Sequence, residues 1–221
     1  MGIKERRERE KDQTRGRIID AARELFASEG YEAVSMRRIA EAIEYSPTAI
    51  YVHFADKQTL FREICSEDFA KLASVFTKLA RMEDPLERIC EIGQAYVRFA
   101  LQYPNHYRMM FMTPHAHEPG EKMPETKGNP DEDAYAFLKM SVQRGISAGL
   151  FRSDLKDAGL VTQTLWAVAH GVASLQIVKG SDPWIEWAAI ELRAKTALEA
   201  VVAGMRAGPK KAPAARKTVS R

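Results

Sequence analysis

Apolar residues recur at three- and four-residue spacing along most of this chain, with polar residues between them. This spacing places the apolar side chains on one face of an α-helix, whereas a half-buried strand needs strict alternation. No segment alternates in that way, so the chain is predicted to be all-α. The first clear stripe comprises Ile18, Ile19, Ala22, Leu25 and Phe26. Gly30 follows it as a candidate C-cap.

The same spacing predicts further helices along the chain. A long helix should run from about Asp56 to Arg81, and another from Pro85 to about Pro104, followed by a short apolar segment at 107–112. Segment 113–133 is polar and rich in proline and glycine, which predicts a mobile loop. Three more helices are predicted at about 133–149, 156–179 and 183–206. The expected inward residues of the two earlier helices are Leu60, Ile64, Phe69, Leu72 and Phe76, then Ile89, Ile92, Tyr96, Phe99 and Ala100.

Capping signals divide the segment from Ser35 to Lys57 into two short helices. Ser35 precedes the apolar series Met36, Ile39, Ala40 and Ile43, and its hydroxyl can accept from an orphan N–H. Ser46-Pro47 repeats the signal, with serine at the cap and proline at the first helical position. Ile50 and Phe54 would face inward from this second helix, and Asp56 would cap the next. Two short helices joined by a tight turn are typical of a DNA-reading helix-turn-helix, although a surface helical hairpin fits the spacing as well.

The amino-acid sequence in and around these helices resembles that of the N-terminal domain of the TetR family of bacterial transcriptional regulators. The resemblance rests on IIDAARELFASEGY at 18–31, IAEAI at 39–43 and AIYVHFADKQTL at 49–60. It departs from the family at Glu44-Tyr45, where a glycine and a small apolar residue are usual. Glu44 must therefore accept a positive φ at some cost or adopt another turn.

The resemblance implies a set of DNA-contacting residues. Thr48 and Tyr51 sit where family members commonly touch bases or phosphates, and Ala49 offers only a methyl group. Tyr45 and His53 could reach backbone or base edges, while Tyr51 could instead support the core. Lys57 stands at the N-terminal end of the next helix, where a phosphate is favoured. The full predicted set is Ser35, Arg37, Tyr45, Ser46, Pro47, Thr48, Ala49, Tyr51, His53 and Lys57.

The C-terminal half carries a second resemblance, to TetR-type ligand domains named for a Trp, His and Gly signature. It rests on FALQYPNHYRMMF at 99–111 and LWAVAHGVASL at 165–175. The signature residues would be Trp166, His170 and Gly171. The alternative is that Trp166 and His170 are core residues and that Gly171 permits close helix approach. The resemblance implies a largely apolar ligand cavity lined by Tyr96, Phe99, Tyr103, Met110, Phe137, Trp166 and His170.

The last two long helices are the candidates for subunit pairing. Two such helices per subunit could form a four-helix interface about a two-fold axis, and the alternative is that their stripes fill their own core. A dimer would place two reading helices roughly 34–36 Å apart, which predicts a palindromic operator. The stripes are Leu160, Val161, Thr164, Leu165, Val168, Val172 and Leu175, then Trp184, Trp187, Ala188, Glu191, Ala194, Leu198, Val201 and Val202.

Composition sets the domain limits. The 221 residues are 45% apolar, enough for a small reading unit and a larger helical one. We expect a mixed-charge arm at 1–14, a helix-turn-helix domain at 15–62, a ligand-binding and dimerisation domain at 63–206, and a disordered basic tail at 207–221. The net charge of +3 comes from that tail, whose last fourteen residues hold five cations and no acid. The segment from Lys4 to Arg17 could lie along phosphates or form a solvated helix.

Other classes of protein fit the sequence less well. No run approaches the roughly 18 apolar residues of a membrane span and the N-terminus is charged, so a cytoplasmic protein is expected. Cys65 and Cys90 read as free thiols, with redox sensing as the alternative. His115 and His117 lack a fixed third ligand, so neither a metal nor another cofactor is predicted. No catalytic motif is present, so an enzyme is not expected.

These observations predict a dimeric repressor that binds double-stranded DNA and is released by an unidentified small molecule. Ligand and DNA would then lower each other's affinity by the same factor. Two alternatives stay open. The chain could be a ligand-independent DNA-binding regulator whose cavity is filled core, or a helical oligomerisation module that has lost DNA reading.

Overall fold

The computed structural model describes residues 2–113 and 124–208. Within them the chain is helical, and the one extended contact is an isolated bridge between Phe151 and Arg206. The predicted all-α class is therefore confirmed. The helices are α1 (Ile3–Glu29), α2 (Met36–Ala42), α3 (Pro47–Tyr51), α4 (Lys57–Thr77) with a 3-10 extension (Lys78–Arg81), α5 (Pro85–Gln102), α6 (Pro104–Phe111), α7 (Ala134–Ser147), α8 (Ala158–Lys179) and α9 (Ile190–Met205).

The predicted caps open α2, α3 and α4. The Ser35 hydroxyl accepts from the backbone N–H of Arg38, and that of Ser46 accepts from the N–H of Ala49. The Asp56 carboxylate accepts from the N–H of Thr59 at 2.6 Å. Gly30 ends α1 with a φ of 86° and donates its N–H to the carbonyl of Phe26. Because each cap acts over three or four residues, the local sequence was sufficient to predict all four.

Glu44 adopts the positive φ that the sequence left as one of two outcomes. Its φ is 60°, and it is the one residue other than glycine with a positive φ in the described part of the chain. The N–H of Glu44 donates to the carbonyl of Glu41, and the N–H of Tyr45 donates to that of Ala40. These two bonds form a Schellman motif, in which a left-handed residue satisfies the last carbonyls of α2. The turn between α2 and α3 therefore keeps a glycine-type geometry without a glycine.

Two predicted boundaries differ from the structure. Residues 3–14, predicted as an arm, belong to α1, which agrees with the solvated-helix alternative. The last helix begins at Ile190, not Pro183. Asp182 uses its carboxylate to accept from the N–H of Trp184, and the Trp187 indole donates to the carbonyl of Lys179. The segment is thus held against the end of α8 instead of starting a helix.

The connection between α6 and α7 is described from Pro124 onward. There the N–H of Gly128 donates to the carboxylate of Asp133, and that carboxylate also caps α7. Residues 114–123 of the predicted mobile loop lie outside the described residues, as do residues 209–221 of the predicted tail.

Two hydrophobic cores lie along the chain. The first gathers α1, α2, α3 and the start of α4, and we call this unit the reader; its buried residues include Ile18, Phe26, Ile39, Ile50, Phe54 and Ile64. The second lies among the end of α4 and α5 to α9. Met109 of α6 belongs to the reader core, whereas Tyr107 and Met110 of the same helix belong to the second core. Helix α6 therefore packs into both.

Most predicted inward residues are buried, with one exception on α4. Leu60, Ile64, Leu72 and Phe76 are buried, but Phe69 is 41% exposed and packs edge-on against Phe111. All five predicted inward residues of α5 are buried. None of the helices in the described ranges is long and apolar enough to span a bilayer.

Candidate nucleic-acid interface and ligand site

The predicted DNA-contacting residues are all exposed or half-buried on the reader. Ile50 and Phe54, by contrast, are fully buried. Tyr45, Ala49, His53 and Lys57 are half-buried. The exposed members are Ser35, Arg37, Ser46, Pro47, Thr48 and Tyr51. The apolar spacing therefore oriented α3 as predicted, with its polar side outward.

The capping serines can still serve a ligand at the surface of the reader. The hydroxyl oxygens of Ser35 and Ser46 each accept from a backbone N–H, at 3.1 and 3.2 Å. A hydroxyl is also a donor, so each retains its O–H for a group outside the protein. Arg37 is exposed and forms an ion pair with Glu41 at 3.0 Å. Such a surface pair contributes little to stability and can be exchanged for another anion.

Tyr45 is held by a residue that the sequence analysis did not assign. Arg17 of α1 donates to the Tyr45 hydroxyl at 3.3 Å and to the carbonyl of Ile43 at 3.4 Å. Its guanidinium carbon also lies 5.2 Å from the centre of the Tyr45 ring. Arg17 thus supports the turn before α3. Nothing local in the sequence predicts this contact, because its partners are 26 and 28 residues away.

Lys57 has a structural role beside its predicted one. Its ammonium donates to the carbonyl of Tyr31 at 2.9 Å and lies 4.2 Å from the centre of the Tyr31 ring. An ammonium has three donors, so a phosphate could still be bound. Removing Lys57 would nevertheless disturb the link between α4 and the segment after α1, so its loss would not report on DNA contact alone.

His53 lies between the end of α3 and the first half of α1. Its Nδ1 atom is buried without a hydrogen-bond partner in the described structure. Burial lowers the pKa of His53, and the nearby charges of Lys11 and Arg15 lower it further. Arg15 also lies over the Phe54 ring at 4.8 Å. The basic first half of α1 therefore borders the predicted DNA surface.

In the second core, three of the predicted ligand residues meet at a hydrogen-bonded cluster. The Trp166 indole donates to the Tyr96 hydroxyl at 3.2 Å. The Nδ1 atom of His170 lies 3.1 Å from the Tyr96 hydroxyl and 2.7 Å from that of Tyr107. The Phe111 ring packs within 6 Å of the rings of all four residues. We call Tyr96, Tyr107, Phe111, Trp166 and His170 the aromatic cluster.

Burial sets the protonation of this cluster. It lowers the pKa of His170 and raises the pKa of Tyr107 to about 12. It also raises the pKa of Tyr96, with the nearby Tyr107 acting in the same direction. The cluster is therefore neutral near pH 7, and each of its polar atoms can exchange a hydrogen bond without a charge change. The ligand predicted from the sequence would accordingly be apolar and carry one or two hydrogen-bonding groups.

The other predicted ligand residues lie elsewhere in this core. The rings of Phe99 and Tyr103 contact each other at 5.3 Å, and Tyr103 also contacts His106. Met110 and Phe137 are buried among the core residues. Tyr107 and Phe111, which sequence reasoning did not assign, are central to the cluster. Their spacing on α6 was visible, but their partners are on other helices.

Gly171 differs from the close-approach alternative. Among the described residues, a Cβ atom at this position would meet nothing within 4 Å, so the glycine does not serve the approach of another described helix. Close approach occurs at Gly93 of α5 instead, where a Cβ would lie 2.5 Å from the side chain of Leu198 on α9.

The predicted pairing stripe of α8 divides between two environments. Val161 and Leu165 are buried in their own core, whereas Leu160 and Leu175 are more than half exposed. The exposed and half-exposed positions form a face without charge, made by Leu160, Thr164, Ala167, Val168, Gly171, Leu175 and Val178. On α9, Ala194, Leu198 and Val202 are buried, while Trp184 before the helix is 92% exposed.

The two cysteines and the two loop histidines were the remaining candidates for a chemical role. Cys65 and Cys90 are free thiols, and burial raises the pKa of Cys65 to about 12. Because the thiolate is the reactive form, this position is unfavourable for redox sensing. His115 and His117 lie outside the described residues.

Comparison with known proteins gives two family matches. Residues 18–64 match the profile of bacterial regulatory proteins of the tetR family. Residues 89–189 match the profile of the tetracyclin repressor-like C-terminal domain. The two matches together cover about two thirds of the chain. They fall on the reader and on the second core respectively.

Curated relatives match over about a third of the chain. The HTH-type transcriptional repressor AcnR of Corynebacterium glutamicum is 40% identical over 70 residues, which are 32% of this chain and 37% of that protein. The HTH-type transcriptional regulator UidR of Escherichia coli K12 is 37% identical over 76 residues, or 34% of this chain and 36% of that one. The match thus spans little more than a third of these relatives' length.

A solved structure shows the same fold over nearly the whole chain. The tetR-family regulatory protein from Rhodococcus RHA1 superposes with a TM-score of 0.67 at 20% identity, covering 88% of this chain and 98% of the other. At this identity the likeness concerns the fold alone.

Proposed function

Because the chain belongs to the tetR family of bacterial regulatory proteins, we propose that it is a transcriptional repressor that binds DNA through α2 and α3. The observation that carries this proposal is the reader surface. Two capped helices, joined by a Schellman turn, present polar side chains outward over a buried apolar base. A helix presented in this way fits the major groove, where its first residues reach base edges.

Individual residues take different roles in this proposal. Thr48 and Tyr51 read base edges, and the Ala49 methyl packs against a thymine methyl. Ser35, Arg37 and Lys57 bind phosphates, and Tyr45 and His53 contact the backbone beside them. Ser46 and Pro47 hold the start of α3. The cations in the first half of α1 add affinity that is independent of sequence and sensitive to salt.

We propose a homodimer that pairs through α8 and α9. The outer face of α8 supports this, because it carries no charge and its side chains other than that of Thr164 are apolar. The opening beside Gly171 lies on the same face, where a second copy could approach closely. The dimer would bind a palindrome with its half-sites roughly 34–36 Å apart.

The ligand belongs to the aromatic cluster in this proposal. Trp166, His170 and Gly171 would be the Trp-His-Gly signature of a ligand-domain subgroup. A largely apolar molecule with a hydrogen-bonding group would bind among α5, α6 and α8. It would favour a dimer in which the separation of the two α3 helices does not match successive major grooves of DNA. Ligand and DNA would then weaken each other's binding by the same factor.

Selection of DNA from a random pool by the purified full chain tests this function. We expect a palindromic site, with an affinity that falls steeply between about 50 and 200 mM salt. Thr48→Ala should change the selected sequence at one position in each half-site. Arg37→Gln should weaken binding equally across sequences and reduce the salt slope by about 1. Recovery of no preferred DNA at low salt would favour the oligomerisation-module alternative instead.

A further inference from the structure

Helix α6 joins the two cores within eight residues. The Tyr107 hydroxyl contacts Nδ1 of His170 at 2.7 Å and donates to its backbone carbonyl at 3.3 Å. Two residues later Met109 is fully buried in the reader core. A rotation or shift of this short helix must therefore change both environments together, because a packed helix moves as one body.

The residue before Tyr107 reaches the reader through a buried carboxylate. Nδ1 of His106 lies 2.7 Å from Oδ1 of Asp68 on α4. Arg23 of α1 donates to the same carboxylate from Nε at 3.2 Å and from Nη2 at 3.0 Å. Asp68 is 1% exposed and Arg23 is 7% exposed. One carboxylate thus connects α1, α4 and α6, each of which contributes buried residues to the reader core.

Other groups hold Arg23 and His106 in place. Arg23 also donates to Asp20 at 2.8 Å and lies 3.7 Å from Glu67. The Tyr103 ring packs edge-on against His106, and the ammonium of Lys71 lies 3.5 Å from the centre of that ring. A buried carboxylate without its donors is costly, so Asp68 favours the arrangement of helices that keeps all of them.

We propose that the Arg23–Asp68–His106 network is the contact through which the aromatic cluster positions α1, with His106 as the positioning residue. This inference rests on the proposed function, since the consequence of moving α1 is a change in DNA affinity. When Tyr107 changes its bond to His170, His106 moves with α6, and the Asp68 carboxylate transmits that movement to Arg23.

Paired substitutions test the network without knowledge of the ligand. Tyr107→Phe removes the hydroxyl that contacts His170 and serves as the perturbation. It is introduced into the natural chain, into His106→Ala and into His106→Asn, whose amide can donate near the position of Nδ1. Asn105→Ala is the matched control, because it changes the neighbouring residue of α6 and leaves the Asp68 contact intact. Dissociation constants are measured on the DNA selected above, and thermal melting confirms that each variant is folded.

We expect Tyr107→Phe to change the dissociation constant by about fivefold or more in the natural chain and in Asn105→Ala, which is within the usual range of allosteric coupling. The change should be less than about twofold in His106→Ala and should return in His106→Asn. Equal changes in all backgrounds, or no change in the natural chain, would overturn the inference while leaving DNA binding established.

Hydrogen exchange gives a reading that needs no DNA. Tyr107→Phe should alter the exchange of amides around Arg23 in the natural chain and leave them unaltered in His106→Ala. Identical exchange in both backgrounds would overturn the network. A chain that binds no DNA but shows the expected exchange would contradict the proposed function alone.

Discussion

At the scale of single residues, Glu44 makes a tight turn that glycine would make at lower cost. A residue with a Cβ atom loses about 1–2 kcal/mol in the left-handed region. Here the Schellman bonds from Glu44 and Tyr45 hold the backbone there. The turn geometry therefore comes from backbone hydrogen bonds, and the exposed side chain of Glu44 is not needed to hold it.

We expect Glu44→Gly to raise the free energy of unfolding by about 0.5–1 kcal/mol. The gain is smaller than the left-handed cost because glycine also loses more backbone freedom on folding. Urea unfolding of the purified chain measures the change. Glu44→Ala is the control, since it removes the same charge but keeps the Cβ atom. An equal gain in the alanine variant would show that charge, and not φ, sets the cost.

Burial of His170 predicts a dependence of stability on pH. Its pKa is lowered from the ordinary 6.5 in the folded chain, as is that of His53. The unfolded chain then binds more protons, so the stabilising contribution is present above about pH 6.5 and is lost as the pH falls. We expect the free energy of unfolding to decrease from about pH 7 to about pH 5.

The matched variant for this prediction is His170→Gln, whose amide can keep the bonds to Tyr96 and Tyr107. Its unfolding free energy should decline less steeply over the same range, and the remaining decline belongs to His53 and other groups. Urea unfolding at several pH values measures both slopes. An identical slope in the two proteins would mean that the pKa of His170 is the same in the folded and the unfolded chain.

Residue roles were predictable from sequence where they depend on near neighbours. Ser35, Ser46 and Asp56 act over three residues, so their caps could be predicted. Arg23 and Asp68 are 45 residues apart, and their pairing depends on how α1 crosses α4. The same holds for Tyr107 and His170. Apolar spacing predicts which face of a helix is buried, but it does not predict which polar groups meet beneath it.

At the scale of elements, α3 is a five-residue helix that depends strongly on its cap. It is too short to be stable alone, so its ends and its packing decide its population. Pro47 presets the first φ, and Ser46 satisfies the N–H of Ala49. In the described structure, α3, the proposed DNA-reading helix, is therefore held by one side-chain hydrogen bond and one buried isoleucine, Ile50.

We expect Ser46→Ala to lower the free energy of unfolding by about 1 kcal/mol and to weaken binding of the selected DNA. The loss follows because α3 frays at its N-terminal end, where base contacts are proposed. Ser46→Thr keeps the accepting hydroxyl and should restore most of both properties. Ser74→Ala, at an exposed position of α4, is the control and should change neither. Urea unfolding and fluorescence anisotropy provide the measurements, and unchanged stability in Ser46→Ala would contradict the prediction.

Element boundaries show where helical spacing misleads. The apolar residues Trp184, Trp187 and Ala188 continue the stripe of α9 in sequence, which extended the predicted helix to Pro183. In the structure Trp187 turns back to the end of α8, and Arg193 lies 4.5 Å from the centre of its ring. Period alone does not distinguish a helix from a segment that folds over its neighbour.

At the scale of the whole molecule, the outer face of α8 is an exposed apolar surface in the described part of the chain. The helix has one charged residue, Lys179, and is apolar on both sides. One side packs in the second core, and the other includes Leu175 and Val178, each more than half exposed. A helix with two apolar sides is normally buried on both.

We expect Leu175→Glu to convert the proposed dimer into a monomer, because each subunit would bury a carboxylate in the proposed interface. Affinity for the palindrome should then fall by about tenfold or more, since each reader binds independently. Sedimentation equilibrium measures the mass. Gln143→Glu, at an exposed position of α7, introduces the same charge and should leave the dimer intact. A dimeric Leu175→Glu protein would exclude this face as the interface.

The fold class and helix order could be predicted from sequence because helical period and capping are local properties. The division into two units was predicted from a family resemblance, with a boundary at residue 62. Contacts across that boundary could not be predicted, because they depend on the angle between helices. Met109 and His106 both follow residue 62 in sequence. Met109 is nevertheless buried in the reader core, and His106 contacts Asp68, which binds Arg23 of α1.

Met109 has a consequence for modularity. A DNA-reading fragment cut after α3 or early in α4 would lack a side chain that is fully buried in its core, and the vacated space would destabilise it. The same applies to a chimera that joins this reader to a foreign effector domain, whose α6 would have to supply a side chain of similar volume. The exchangeable unit is therefore discontinuous in sequence: a transplanted reader should carry its own copy of residues 104–111 as well.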